Sequence, residues 1–232
     1  IELNIINYYI VAATRLEIQA SIAFCEEHYN IQSQDAFFIA ENIIIHFCIT
    51  GVSVASTIYH LTKIAQQPVN LIIQAGIAGS FKHQLNIGNV YCIGADRFAD
   101  IGVQDNEQFI DAYTMQLIDG NAQPFTNGWL FNTQQPYPTF FNGLMHVNAI
   151  TVNTVSGNAA TIEKLNTLYK PSIESMEGAA LHYVCLQENI PFVQLRAVSN
   201  YVEIRDKSKW NIPLAVENLN IQLIEFIKTL QA

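Results

Sequence analysis

Short apolar runs of strand length alternate along this chain with stretches of helical spacing, and that alternation leaves few folds open. Val69–Ala75, Val90–Ala95, His146–Val152 and Phe192–Val198 are continuous and largely β-branched or apolar, as strands buried on both faces are. Arg15–Glu27, Ser53–Gln66, Asn158–Leu168, Glu177–Glu188 and Pro213–Leu230 read as helices. In the last of these, Val216, Leu219, Leu223, Ile224, Ile227 and Leu230 form one stripe, and Pro213 stands early, where its missing N–H is harmless. Ile5–Thr14 adds a further strand, and Phe37–Ala40 with Ile43–Thr50 reads as a hairpin around Glu41-Asn42. Strands alternating with helices call for an α/β fold of three layers, α/β/α, around a central mixed, largely parallel sheet.

A chain of 232 residues is expected to form a single domain, residues 1–232, with ample length for a core. Half of it is apolar and 13% charged, which argues against disorder. Residues from about 103 to 145 break the alternation. Turn pairs Asp119-Gly120, Asn127-Gly128 and Asn142-Gly143 occur there with Pro124, Pro136, Pro138 and many aromatics. This stretch reads as an elaborated loop that shapes a pocket mouth. A net charge of −9 disfavours nucleic acid, whose phosphates require a basic face. No apolar run reaches the ~18 residues of a membrane span, and the start carries no secretory pattern, so a cytoplasmic protein without membrane partners is expected. Cys25, Cys48, Cys92 and Cys185 form no CxxC pair and read as reduced thiols, three of them in apolar runs. The six histidines lack metal-ligand spacing, so neither metal nor organic cofactor is expected.

In sheets of this kind ligands bind beyond the carboxyl ends of the strands. Three unusual segments fall there: Gln74–Gly79 (QAGIAG), Val152–Gly157 (VNTVSG) and Arg196–Asn200 (RAVSN). Gln74–Phe81 reads as a glycine-rich turn, which either lets backbone N–H groups approach a ligand or meets a steric need of its own. Gly51-Val52-Ser53-Val54-Ala55 nearly matches a nucleophile elbow, but its second glycine is absent and no Asp-then-His pair follows. Helix capping by Ser53 explains it better. Glu177 opens a helix crowded with small and apolar residues, Ala179, Ala180 and Leu181. It is either a dipole-favoured surface acid or an acceptor for a pair of ribose hydroxyls. Asn200 is either a turn former or an amide that reads a purine edge. Glu17, by itself a surface helix residue, lies at the same sheet end and is a candidate base for a water molecule.

ESMEGAALHYVC, QLRAVSN and QAGIAGSF together resemble the superfamily of purine nucleoside phosphorylases and methylthioadenosine/S-adenosylhomocysteine nucleosidases, and within it the futalosine hydrolases. The likeness runs in matching order over most of the chain, least so in the elaborated loop. It implies a nucleoside phosphorylase-like fold. It also implies catalytic roles for Glu17, which activates water, and Asn200, which handles the leaving base. Ile77, Val155, Met176, Glu177, Ser199 and Arg205 become substrate-binding residues. Two departures matter. Adenine-releasing nucleosidases carry Asp where this chain has Asn200, and an amide NH2 suits a 6-oxopurine, which presents acceptors at O6 and N7. Phosphorylases place Arg and Ser at the glycine-rich segment, where this chain has Gln74 and Ile77. The resemblance thus implies hydrolysis of futalosine to hypoxanthine in menaquinone synthesis, with a small-molecule nucleoside as ligand and a homodimer or larger homo-oligomer as the assembly. Arg205 or Arg15 would meet the substrate carboxylate; Arg205 is equally placed to pair with Asp206 or Glu203. An adenine-releasing nucleosidase, a phosphorylase and a non-catalytic nucleoside-binding protein are the rivals.

Overall fold

Alternating residues of the same strands are buried on opposite faces, which requires helices on both sides of the sheet. In a computed structural model, which describes residues 4–106, 108–133 and 139–231, the elements follow in order. They are β1 (Ile6–Ala12), α1 (Arg15–His28), β2 (Asn30–Ser33), β3 (Ala36–Ala40), β4 (Ile43–Ile49), α2 (Val54–Ala65), β5 (Leu71–Ser80) and β6 (Val90–Asp96). There follow β7 (Gly102–Asp105), β8 (Gln108–Asp111), β9 (Leu130–Phe131), β10 (His146–Thr151), α3 (Ala159–Tyr169), β11 (Ile173–Ser175), α4 (Gly178–Glu188), β12 (Phe192–Tyr201) and α5 (Ile212–Thr229). Ile10, Ile73 and Val193 join a core with Ile18, Ile22, Leu219 and Leu223 of α1 and α5. Their neighbours Val11, Ile72 and Phe192 join another with Leu61, Leu181 and Val184 of α2 and α4. Each such fully buried aliphatic side chain contributes about 1.5–3 kcal/mol relative to exposure.

The sheet order is β11-β10-β6-β12-β5-β1-β4-β3-β2, with β9 beside β6. Pairs β1–β4, β1–β5, β5–β12, β6–β10 and β10–β11 are parallel; the hairpin strands and β6–β12 are antiparallel. One pairing bends this sheet round. Ile173 and Glu174 of β11 lie opposite Ser80 and Gly79 of β5, so β5, β12, β6, β10 and β11 close into a ring. The last helix then ties back to the first. Asn220, buried in α5, donates to the Glu17 carbonyl at 2.8 Å and accepts from the N–H and hydroxyl of Ser21 in α1 at 2.9 and 2.7 Å.

The expected turn at Gln74–Phe81 is instead strand. β5 runs to Ser80 because β12 follows it to Tyr201 and β11 pairs with its end. Its glycines answer to packing. A methyl at Gly76 would overlap the Arg196 guanidinium, and one at Gly79 would come within 2.8 Å of Val202 Cγ2. Ser53 does cap α2, accepting from the Ser56 N–H at 3.4 Å, but from a strained backbone with φ 102°.

The elaborated loop holds the β7–β8 hairpin and a series of turns, with Pro136 and Pro138 outside the described residues. Arg97 anchors it. The guanidinium donates to Asp111 at 3.1 Å and to the Asn127 carbonyl at 2.9 Å, and lies 4.6 and 4.7 Å from the Tyr113 and Tyr169 ring centres. The described part of this loop lines its own cavity of about 780 Å³ around Arg97, and not the cavity at the strand ends.

Candidate functional site

Where β1, β5, β11 and β12 end, a cavity of about 380 Å³ opens. Glu17, Ile77, Val155, Met176, Glu177, Ser199, Asn200 and Arg205 all line it. Residues far apart in the chain are thus brought to one wall of the ring, as expected for ligand sites at sheet ends.

Glu17 arrives there through a capping box. Thr14, two residues past β1, is extended and forms the N-cap of α1. The Thr14 N–H and hydroxyl donate to Glu17 Oε2 at 2.9 and 3.0 Å, which folds the carboxylate back towards the sheet. Oε1 accepts the Ile77 N–H at 3.0 Å, an amide that β5 can spare at the cavity edge. Although in a first helical turn, Glu17 is only 6% exposed. One strand-helix corner and the end of β5 therefore fix it jointly.

Glu177 stands at the N-cap of α4 yet makes no capping bond. Ser175 and Thr151 do that work: their hydroxyls accept the Gly178 and Ala179 N–H groups at 3.2 and 2.7 Å. The Glu177 carboxylate is left for other partners. Oε1 accepts the Ser53 N–H at 3.3 Å, and Oε2 lies 3.6 Å from Arg196 Nη1. Burial raises its pKa, against the pull of Arg196 and the Ser53 amide. The Glu17 charge raises it further, so the two carboxylates feel each other.

Arg196 was not singled out from the sequence, and the structure makes it central. Its side chain is 1% exposed; Nη2 donates to Gln74 Oε1 at 2.8 Å while Nη1 faces Glu177. Gly76 leaves the space between this guanidinium and Glu17. An arginine inside a strand buried on both faces was the available signal, since a charge there requires partners. Glu174 was also missed. It accepts from the Ser156 N–H at 2.9 Å and from its hydroxyl, pinning the turn that carries Val155; burial raises its pKa.

On β12 the register slips between Val198 and Asn200, a bulge that inserts Ser199. Bulges re-aim side chains. Here Ser199 and Asn200 both reach the cavity. The Ser199 hydroxyl donates to Asn200 Oδ1 at 2.8 Å, and Asn200 Nδ2 donates to the Tyr201 carbonyl at 3.0 Å. That fixes the amide and leaves its second N–H for a ligand.

Arg205 forms no ion pair with its acidic neighbours. Glu203 is taken by Lys209 at 2.9 Å, and Asp206 caps Ser208. The Arg205 guanidinium lies 5.5 Å from the Trp210 ring centre, and both residues line the cavity. Arg15 is a correction: it is held bidentate by Asp35 at 3.0 and 3.1 Å and does not line the cavity. Among the described residues no cluster of His, Cys, Asp and Glu is arranged to hold a metal ion.

A family model described as the phosphorylase superfamily matches residues 10–228. A futalosine hydrolase of Acidothermus cellulolyticus is 30% identical over 165 residues, and the chain spans 64% of that relative's length, with 67% of this chain aligned. A 5′-methylthioadenosine/S-adenosylhomocysteine nucleosidase of Buchnera aphidicola is 25% identical over 97% of this chain and 91% of its own. The solved futalosine hydrolase of Helicobacter pylori superposes with a TM-score of 0.72 at 16% identity, covering 97% of each chain, and so shares the fold.

Proposed function

The chain belongs to the phosphorylase superfamily, and from that footing we propose that it cleaves the N-glycosidic bond of futalosine with water and releases hypoxanthine. The observation that carries this reading is the convergence of Glu17, Glu177 and an amide, Asn200, on one cavity. Glu177 and Met176 hold the ribose. The free N–H of Asn200 supports the departing base at an acceptor edge, O6 or N7. Glu17, held by Thr14 and Ile77, polarises the water that captures the anomeric carbon as the bond breaks. Arg196 lies beside Glu177 and, across Gly76, close to Glu17, and so offsets the cost of keeping two carboxylates buried beside the ribose.

Water is favoured over phosphate because Arg205 is the one basic side chain among the described lining residues, and Arg196, 1% exposed, is engaged by Gln74 and Glu177. With Glu203 and Asp206 otherwise engaged, Arg205 is available to the carboxylate at the 5′ end of the substrate. Leu16, Val52 and Val155 line the cavity with exposed apolar surface. A homodimer in which a second copy covers that surface completes the proposal.

A second reading, an adenine-releasing nucleosidase, is favoured by the Buchnera relative, which aligns over nearly the whole chain. Base release from futalosine, inosine, aminodeoxyfutalosine and methylthioadenosine, with and without phosphate, separates the readings. Phosphate-independent hypoxanthine from futalosine supports the first, adenine release supports the second, and dependence on phosphate makes the protein a phosphorylase. No release from any of them leaves a nucleoside-binding protein.

A further inference from the structure

The end of β5 carries a row of three residues that its two neighbouring strands set side by side. Glu174 of β11 lies opposite Gly79 on one edge of β5, and Asn200 of β12 lies opposite the same glycine on the other. The residues before them show which way the row faces. Ala78, Ile173 and Val198 share a core with Ile93 and Ala149, one residue from each strand of the ring, and so point to its inside. Successive strand residues point to opposite faces, so Gly79 and Glu174 turn outward, and the bulge at Ser199 brings Asn200 to that side too. All three line the cavity at the strand ends.

Glu174 is left short of partners. It is 3% exposed, yet no cation pairs with it among the described residues. Oε1 takes the Ser156 N–H and Oε2 the Ser156 hydroxyl. A carboxylate oxygen has two lone pairs, so each keeps one for a further donor. Asp100 bears on it as a second negative charge. A buried acid in that setting calls for hydrogens that one serine does not supply.

Across Gly79 stands the opposite need. Asn200 spends one amide hydrogen on the Tyr201 carbonyl and has one left. Its Nδ2 leans over the glycine, since a methyl there would lie 3.3 Å from it. A donor and an acceptor thus flank a floor that has no side chain. Their complement is a planar ligand edge with an acceptor and an N–H on neighbouring positions. The lactam of a 6-oxopurine is such an edge: O6 accepts and N1–H donates. The backbones of β11 and β12 stand two strand spacings, about 10 Å, apart across β5. Two hydrogen bonds of about 3 Å with the O6–N1 edge between them nearly fill that width.

We propose that Glu174 reads N1–H of the base while Asn200 reads O6, so that two groups on either side of Gly79 select a 6-oxopurine. This rests on the nucleosidase reading above and supplies the second half of its base recognition. Adenine fails at both places. Its 6-amino group brings a donor to the Asn200 N–H, and its N1 brings a lone pair to the Glu174 carboxylate. Ser156 holds that carboxylate in place, and its two hydrogen bonds oppose the rise in pKa that burial causes.

Glu174→Gln separates base reading from anchoring of the Ser156 turn. The glutamine oxygen still accepts the Ser156 N–H and its NH2 donates to the serine hydroxyl, so the turn stays held. The same NH2 offers adenine N1 the hydrogen that the carboxylate lacks. The ratio of kcat/KM for adenine release from aminodeoxyfutalosine to that for hypoxanthine release from futalosine should rise at least about tenfold. An unchanged ratio, whether both rates hold or both fall, would overturn the proposal and leave Glu174 an anchor of the turn. Calorimetry on the wild type requires neither a variant nor turnover. There 1-methylhypoxanthine, which keeps O6 but lacks N1–H, should bind at least about tenfold more weakly than hypoxanthine, and equal affinities would overturn the proposal. That gap should narrow in Glu174→Gln; a gap of the same size would assign it to the bulk of the methyl group and not to Glu174. Failure of the wild type to release any base would sink the nucleosidase reading, and these affinities would still decide what Glu174 reads.

Discussion

Asn200→Asp tests whether the base is chosen at one side-chain atom. The substitution keeps Oδ1 as acceptor for the Ser199 hydroxyl at 2.8 Å. It replaces Nδ2, which donates to the Tyr201 carbonyl at 3.0 Å, with an oxygen. Two acceptors would then meet, so an ionised aspartate there loses a bond and is repelled, while a protonated one spends its O–H on Tyr201. Either way the hydrogen that Asn200 offers the ligand is gone. An oxygen set against O6 of a 6-oxopurine costs about 1–3 kcal/mol, or roughly 5- to 150-fold in kcat/KM. A 6-amino group facing the same oxygen is spared that cost and gains an acceptor. The assay is kcat/KM for hypoxanthine release from futalosine and adenine release from aminodeoxyfutalosine, for both proteins at one pH. The ratio should move towards adenine by at least about tenfold. An equal fall for both substrates would refute base selection by Asn200 and leave it a positioning element of the β12 bulge.

Glu17→Gln keeps an acceptor for the Ile77 N–H or for the Thr14 N–H but not for both, so Tm should fall modestly while kcat falls by about 10²–10⁴, read in steady-state base release. Gly76→Ala should displace Arg196 from Gln74 and Glu177, destabilising by about 2–4 kcal/mol in urea unfolding, because a buried carboxylate loses its cation; an unchanged midpoint would show that Arg196 has room to shift. Arg205→Gln should raise KM for futalosine but leave inosine, which lacks the carboxylate, unaffected; equal effects on both would remove Arg205 from substrate recognition. Stability against pH should carry the mark of Asp96. Its native pKa is raised by burial from 3.8 to about 6, so it is protonated when folded and ionised when unfolded between those values. Its contribution is therefore fullest below about pH 4 and is lost as pH rises through about 6; unfolding curves of Asp96→Asn should lack that decline.

Layers and strand-end placement were legible because they depend on periodicity. Runs such as Val69–Ala75 and stripes such as that of Pro213–Leu230 are dense enough to force a sheet between helices. β2 was invisible because all four of its residues are exposed and carry no alternation, and β11 because three residues are too few to show one. Gln74–Phe81 read as a turn from its glycines. Their reason is the neighbouring Arg196 and Val202 side chains, a tertiary fact with no local trace. At the cavity, segments that stood out in type and position, such as SMEG and RAVSN, converge, while Arg196 and Glu174 went unnoticed. A polar residue is visible in a sequence but its partner is not, and burial with a partner is what separates a working charge from a surface one. The described part of the elaborated loop gathers about Arg97 for the same reason: aromatic content announced packing, and Arg97 determined where.

The ring of β5, β12, β6, β10 and β11, with α5 clipped to α1 through Asn220, has a consequence for a chain made from its N-terminus onward. Glu17 and Ile77 are synthesised early, but their wall faces nothing until β11 and β12 follow, and the carbonyl of Glu17 gains its Asn220 partner only when α5 is complete. Pairings so distant in sequence form slowly and late. A ribosome-bound or prematurely terminated chain that ends before β12 keeps Ile77, Val155, Met176 and Glu177 yet has no cavity for them to line. On the proposed reading, nucleoside binding reports on synthesis of the whole sheet, and the early-made portion of the chain is the part that most needs shelter until the ring is shut.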